Sequence, residues 1–215
     1  MNQLQIDAFV LILKGICLAK GYAFFERGDY NLNIIAVRQD DLFDNRFTDK
    51  LYVAYKVKGV WTLLEIDWTT MPGTFGGVFN PINVLGITGT AVLKEGQYRG
   101  TYQFIDNIYN VYQAPYFAQV RPVTVFRDGD KDEVFDREMP QQIGLFGIML
   151  HAMGFGEVVN NWSIGCQGAK WSEFMKFVAV VRVAVSMYNS IFTYTLLHKN
   201  DFAQKPLPAK KEVQA

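Results

Sequence analysis

The stretch GIMLHAMGFGEVVNNWSIGCQG, residues 147–168, carries one of the chain's two histidines, His151, and one of its two cysteines, Cys166. Apolar residues lead into His151, which the pattern places at the end of a strand. Eleven residues rich in Gly and Asn then separate it from Ser163, and the cysteine follows within Ser163-Ile164-Gly165-Cys166. A thiol becomes a strong nucleophile when an imidazole takes its proton and backbone N–H groups hold the developing oxyanion. Gly165, just before the cysteine, lets the chain turn tightly and present those amides. The plainer reading is that a lone cysteine is a small buried hydrophobe and a lone histidine a satisfied core residue.

The stretch resembles the active-site motif of the L,D-transpeptidase (YkuD-type) catalytic domain. That family carries a strand ending in Gly-Ile-His-Gly, a connecting loop, and then Ser-His-Gly-Cys-x-Arg. Here Gly147-Ile148-Met149-Leu150-His151 stands for the strand, and Ser163, Gly165 and Cys166 match the second element. Ile164 stands where the family has its second histidine, Gly168 where it has the arginine, and Ala152 where glycine usually follows the first histidine. The likeness covers residues 70–170 at most and is specific only within the quoted stretch. The wider layout is also similar to uncharacterised proteins of Bacteroidetes and their phages.

The resemblance implies cysteine-dependent acyl transfer on peptidoglycan stem peptides, with no cofactor for catalysis. Cys166 would be the nucleophile and His151 its base. The N–H groups of Gly165 and Cys166 would hold the oxyanion, and Ser163 would orient the loop. The group orienting His151 is left open, a backbone carbonyl being allowed. Gly168 removes the arginine that holds a substrate carboxylate, so hydrolysis, as in a phage endolysin, is expected over cross-linking. The rival reading is a non-enzymatic structural or interaction protein of a phage or cell envelope that retains a transpeptidase-like fold, favoured by Ile164 and Gly168. A papain-like peptidase fits less well, because there the cysteine precedes the histidine.

The 215 residues suffice for one substantial core. Lys and Arg total 21 and Asp and Glu total 21, so nothing attracts a polyanion and nucleic acid is not expected as a partner. A hydrophobic share of 50% with 15% aromatics argues for a folded chain rich in sheet. Cys17 and Cys166 read as free thiols, since a bridge would sequester the nucleophile. No apolar run approaches the roughly 20 residues of a membrane span, so no stable membrane insertion is expected. The start lacks a basic segment and carries Asp7, so the protein is expected to be made in the cytoplasm without a signal peptide. It would then reach the wall after lysis or from a virion.

The fold expected is α+β, a mainly antiparallel β-sheet core with an N-terminal helix and a long C-terminal helix. Residues 1–202 form one domain, with 1–66 as helix and strands and 67–202 as the catalytic-like part, and 203–215 are a disordered tail. Ile6, Phe9, Val10, Leu13, Ile16 and Cys17 recur at helical spacing over 3–20, with Gly21 at the end. Strands are predicted at 22–26, 32–38, 51–57, 60–66, 86–92, 98–104, 118–120, 123–127, 143–150 and 192–197, with Lys58-Gly59 as a tight hairpin. A second helix runs from the N-cap Ser172 to about 188, with Phe174, Val178, Val181, Val185 and Tyr188 as its core stripe. There is no internal repeat and no heptad array. The Gly- and Pro-containing loop 68–83 and the aromatic stretch 108–117 are candidate groove walls.

Residues 128–136, DGDKDEVFD, place Asp128, Asp130, Asp132 and Asp136 at alternating positions of a tight loop. Hard oxygen ligands converging in this way suit a structural Ca²⁺, and the pattern resembles EF-hand and thrombospondin-type loops. It lacks the glycine and terminal glutamate of an EF-hand, and a solvated acidic turn is the alternative.

Overall fold

The computed structural model describes residues 1–74, 83–84, 87–111, 113–128 and 134–203. Helix α1 (Gln3–Ala19) opens on a capping box, in which Asn2 and Gln5 exchange side-chain and backbone hydrogen bonds. Gly21, at φ +73°, lets the chain leave it in the left-handed region. The chain then builds β1 (Asn33–Arg38), β2 (Asp49–Val57), β3 (Val60–Trp68), β4 (Asn83–Val84), β5 (Ile87–Thr88), β6 (Thr90–Leu93) and β7 (Gly96–Ile105). There follow β8 (Tyr116–Gln119), β9 (Val123–Asp128), β10 (Gln141–Gly144), β11 (Leu150–Ala152), β12 (Gln167–Ala169), helix α2 (Trp171–Met187) and β13 (Ile191–His198).

The main sheet has eight strands in the order β12-β11-β8-β7-β13-β1-β2-β3. It is mixed: β1 pairs parallel with β13 and β11 parallel with β12, while its other pairs are antiparallel. The pairs are mainly antiparallel, as expected, but the sheet is mixed and not purely so. The sheet also rolls up. Thr69, just past β3, exchanges backbone hydrogen bonds of 2.7 and 3.1 Å with Gly168 on β12. The two ends of the sheet are thereby joined, and neither offers a long open edge. A second sheet, β10-β9-β6, adds Ala91, Leu93, Val123 and Val125 to the main core.

The main core lies on the sheet face covered by α2. Phe117 stacks on Phe177 with centroids 5.0 Å apart, and Trp68 stacks on Phe174 at 6.1 Å. Such ring pairs are worth about 0.5–1.5 kcal/mol each beyond their burial. The helix buries Phe174, Phe177, Val178, Val181 and Ala184, so its inward stripe is rotated from the one expected, and Tyr188 is exposed. Its cap residue is Lys170 rather than Ser172, which lies in the first turn. At 17 residues it equals α1, so the C-terminal helix is not set apart by its length. Helix α1 packs on the opposite face, where Leu13, Ile16 and Cys17 meet Ile35, Val37 and Leu197.

The hairpin at Lys58-Gly59 forms with both residues at positive φ, and the Asp29 carboxylate accepts both of its N–H groups. Three predicted strands differ. Residues 22–26 are extended but unpaired in a ladder, because the side-chain amides of Gln97 and Asn33 take the backbone groups of Ala23 and Phe25. The stretch 86–92 divides between β5 and β6. The run 143–150 is broken between β10 and β11, where Gln119 Oε1 accepts the N–H groups of Phe146 and Ile148 and Gly147 stands at φ +70°. Much of the loop 68–83, Tyr112 and the tail from 204 lie outside the described residues. Among the described residues no helix is long and apolar enough to cross a membrane.

Candidate active site

The Cα register pairs His151 with Gly168 and Leu150 with Gln167 on parallel strands. Side chains alternate across a strand, so Leu150, Ala152 and Ala169 enter the main core while His151, Cys166 and Met153 share the other face. Cys166 immediately precedes β12. Strand spacing and rise put its Cα on a diagonal of roughly 8 Å from that of His151.

Two anchors shape the loop between them. Asn45 accepts the Asn160 N–H at 2.6 Å and that of Thr74 at 3.3 Å, while its own carbonyl takes the Val159 N–H. Gly73 N–H donates to Ser163 O at 2.9 Å, and a Cβ on Gly73 would overlap the Asn160 carbonyl. The turn itself is held by Ser163, which is buried. Its Oγ donates to Cys166 O at 2.6 Å and accepts the Gly165 N–H at 3.2 Å. Gly165 stands at φ +133°, with a would-be Cβ 2.6 Å from Ala91 O, so only glycine fits. The Gly165 N–H, expected to bind an oxyanion, is thus engaged by Ser163. Among the described residues the Cys166 N–H makes no hydrogen bond, which leaves it as the donor of the turn.

His151 is fully buried. Its Nδ1 lies 2.9 Å from the Ala152 carbonyl, which can only accept, so Nδ1 carries the proton and Nε2 is the basic nitrogen. Burial pushes the imidazole down to about 4, partly offset by that carbonyl. The Cys166 thiol is pushed up by burial, with the Met149 N–H pulling the other way. At rest the thiol donates to Gly147 O at 3.6 Å and accepts from Met149 N–H at 3.5 Å, and no hydrogen bond joins it to His151. The expected direct contact is therefore not made here, since the packed thiol is held by the nearer backbone of 147–149. Cys17, on the buried face of α1, is raised by burial to about 11.

Gly168 has no room for a side chain. A Cβ there would overlap the His151 carbonyl, and the backbone is held between His151 and Thr69. An arginine at this position is sterically excluded.

Behind β12 runs a buried polar chain that the sequence reading missed. Gln167 Nε2 donates to Thr70 O at 3.3 Å, and Gln167 Oε1 accepts from Tyr194 OH, which also takes the Trp68 Nε1–H at 3.2 Å. Thr70 Oγ1 donates to Asp49 at 2.7 Å and accepts Arg38 Nε–H at 3.0 Å. Arg38, fully buried, also donates to Thr70 O, Leu93 O and the Glu95 carboxylate. Burial raises Asp49 to about 6 against its hydrogen bonds from Thr70 and Gln39. Burial would raise Glu95 too, but the Arg38 and Arg137 guanidiniums outweigh it and hold the carboxyl at about 2. Nothing in a strand ending Ala-Val-Arg signals such a role.

Of the acidic loop, Asp128 is buried at the end of β9 and accepts the N–H of exposed Asp136 at 3.4 Å. Asp130 and Asp132 lie outside the described residues. Among the described residues no cluster of three metal-ligating side chains occurs. His198 caps the turn after β13, accepting Asn200 N–H, and is remote from the sheet edge at β12.

The histidine gives a pH test. Its folded pKa lies below the unfolded value of 6.5, so the unfolded chain binds the extra proton first. Its stabilisation is complete above pH 6.5 and is lost as pH falls towards 4, on the order of 3 kcal/mol. Asp49 acts in the opposite sense, stabilising as pH falls through 6. Comparison with His151→Gln isolates the histidine: the wild type should lose stability between pH 6.5 and 4 relative to the variant in denaturant titrations. Parallel pH curves would place His151 in contact with solvent.

No family model, curated protein or solved structure matches the chain.

Proposed function

We propose that this protein is a cysteine-dependent acyl-transfer enzyme acting on peptidoglycan stem peptides, with hydrolysis favoured over cross-linking. The observation that supports it most is the pairing of β11, which carries His151, with the parallel strand that Cys166 immediately precedes, the imidazole being oriented so that Nε2 is the base. On substrate binding Nε2 takes the thiol proton as sulfur attacks the peptide carbonyl beside a D-configured centre. The Cys166 N–H holds the oxyanion. The imidazolium then protonates the leaving amine, and a thioester remains. Water, deprotonated by the same imidazole, releases the acid and restores the thiol. A low imidazole pKa and a raised thiol pKa keep the resting pair neutral, so proton transfer accompanies attack. The closed space at Gly168 supports the reaction direction, since no guanidinium holds the carboxylate of an acceptor peptide.

Incubation with muropeptides should give shortened or uncross-linked products, and Cys166→Ala should not. New 3–3 cross-links would reverse the direction while keeping the nucleophile. A second reading, a non-enzymatic phage or cell-envelope protein, is favoured by the thiol's backbone partners at rest. Inactivity on every peptidoglycan tested would select it. Delivery to the wall by lysis or by a virion is part of the proposal.

Calcium is proposed as a structural ligand of Asp128, Asp130, Asp132 and Asp136. A cation bound only by the folded chain at about 100 times its dissociation constant adds about 2.7 kcal/mol. Melting temperature should rise with calcium and fall with chelator. An unchanged midpoint in both wild type and Asp130→Ala would leave a solvated turn.

A further inference from the structure

The outer face of α1 is apolar as well as the inner one. Leu4, Leu11 and Leu18 are 79%, 62% and 55% exposed, and Ala8 and Gly15 lie between them on the same stripe. The spacing 4, 8, 11, 15, 18 alternates four and three residues, which is the seam two helices need to pack along their length. In sequence this short seam is hidden among the core-facing Val10, Leu13, Ile16 and Cys17.

We propose that α1 is a homodimer interface, pairing antiparallel with α1 of a second copy about a two-fold axis. In antiparallel packing each small position faces a large one: Leu4 lies over the second copy's Gly15, and Leu11 over its Ala8. The flanking charges fit the same register. Asp7 and Lys14 both precede a small seam position, so across an antiparallel pair Asp7 of each copy faces Lys14 of the other; in a parallel pair Lys14 faces apolar Ala19. Lys14 already leans on Glu26 at 2.8 Å, and an ammonium has donors for both carboxylates. A lipid surface is the poorer occupant, since the helix holds one basic residue, Lys14, and one acidic residue, Asp7. The seam, about 21 Å long, gives a reversible dimer rather than an obligate one.

Sedimentation of the full chain should show a concentration-dependent shift from 24.5 kDa towards twice that mass. Leu11→Glu, at an exposed position, should keep the far-UV spectrum and raise the dissociation constant at least about 100-fold. Asp7→Lys and Lys14→Asp should each weaken the dimer, and the two together should restore it. A wild type that stays monomeric up to about 100 µM, a dimer indifferent to Leu11→Glu, or a monomer that binds anionic vesicles through α1 overturns the proposal. The same holds if the double charge swap fails to rescue.

Discussion

Arg38→Met is expected to cost about 3–5 kcal/mol of folding stability, the range for removing one partner of a buried ion pair. The guanidinium makes four hydrogen bonds, to Thr70 Oγ1, Thr70 O, Leu93 O and Glu95. Met matches only its aliphatic stem, so Thr70 Oγ1, the Thr70 and Leu93 carbonyls and the Glu95 carboxylate each lose a donor in the interior. Asp49, whose ionised form Arg38 favours, should titrate higher still. For a chain of this size each kcal/mol moves the melting temperature by about 2–4 °C, so a fall of about 10 °C is expected. Arg38→Lys should recover little, because one ammonium cannot span acceptors arranged for a planar fork. Thermal and denaturant unfolding of both variants decides it, and a loss below about 1 kcal/mol would mean that the polar chain behind β12 is replaceable packing.

The polar chain also separates what was legible from what was not. Helix α1, the Lys58-Gly59 hairpin and most strand positions follow from local rules: apolar spacing, β-branched and aromatic runs, a glycine with positive φ. The residues 22–26 read as a strand because they have strand composition. What they lacked was a ladder partner, and two side-chain amides, Asn33 at the start of β1 and the distant Gln97 on β7, supply it instead. The parallel pairings of β1 with β13 and of β11 with β12 depend on where the chain returns, which no local pattern encodes. The rotation of the α2 stripe towards Phe177 has the same origin, since Phe117 and Trp68 decide which face is buried.

At the candidate site, the quoted stretch carries His151 on β11 and Cys166 just before the neighbouring β12, without a direct contact between them. The role of Gly165 changed with the structure. Its conformational freedom is needed, whereas its N–H belongs to Ser163. Gly168, read from sequence as a missing arginine, is a position where two backbones come too close for any side chain. Gln167, Thr70 and Arg38 of the buried polar chain were invisible because their partners lie far away in sequence.

The central claim is that Cys166 is a nucleophile served by His151. Removing the sulfur should lower muropeptide turnover by at least about 10⁴-fold, because the proposed acyl intermediate is a thioester on Cys166. His151→Gln should lower it by about 10²–10⁴-fold through loss of the base. The most direct measurement is the intact mass of the protein quenched in acid seconds after mixing with muropeptides. The account predicts a transient added mass equal to the acyl fragment, mapped to Cys166 by peptide fragmentation, labile to hydroxylamine as a thioester is, and absent from Cys166→Ala. An unmodified Cys166 at every time point, with muropeptides consumed equally by the Cys166→Ala chain or by neither, would contradict it.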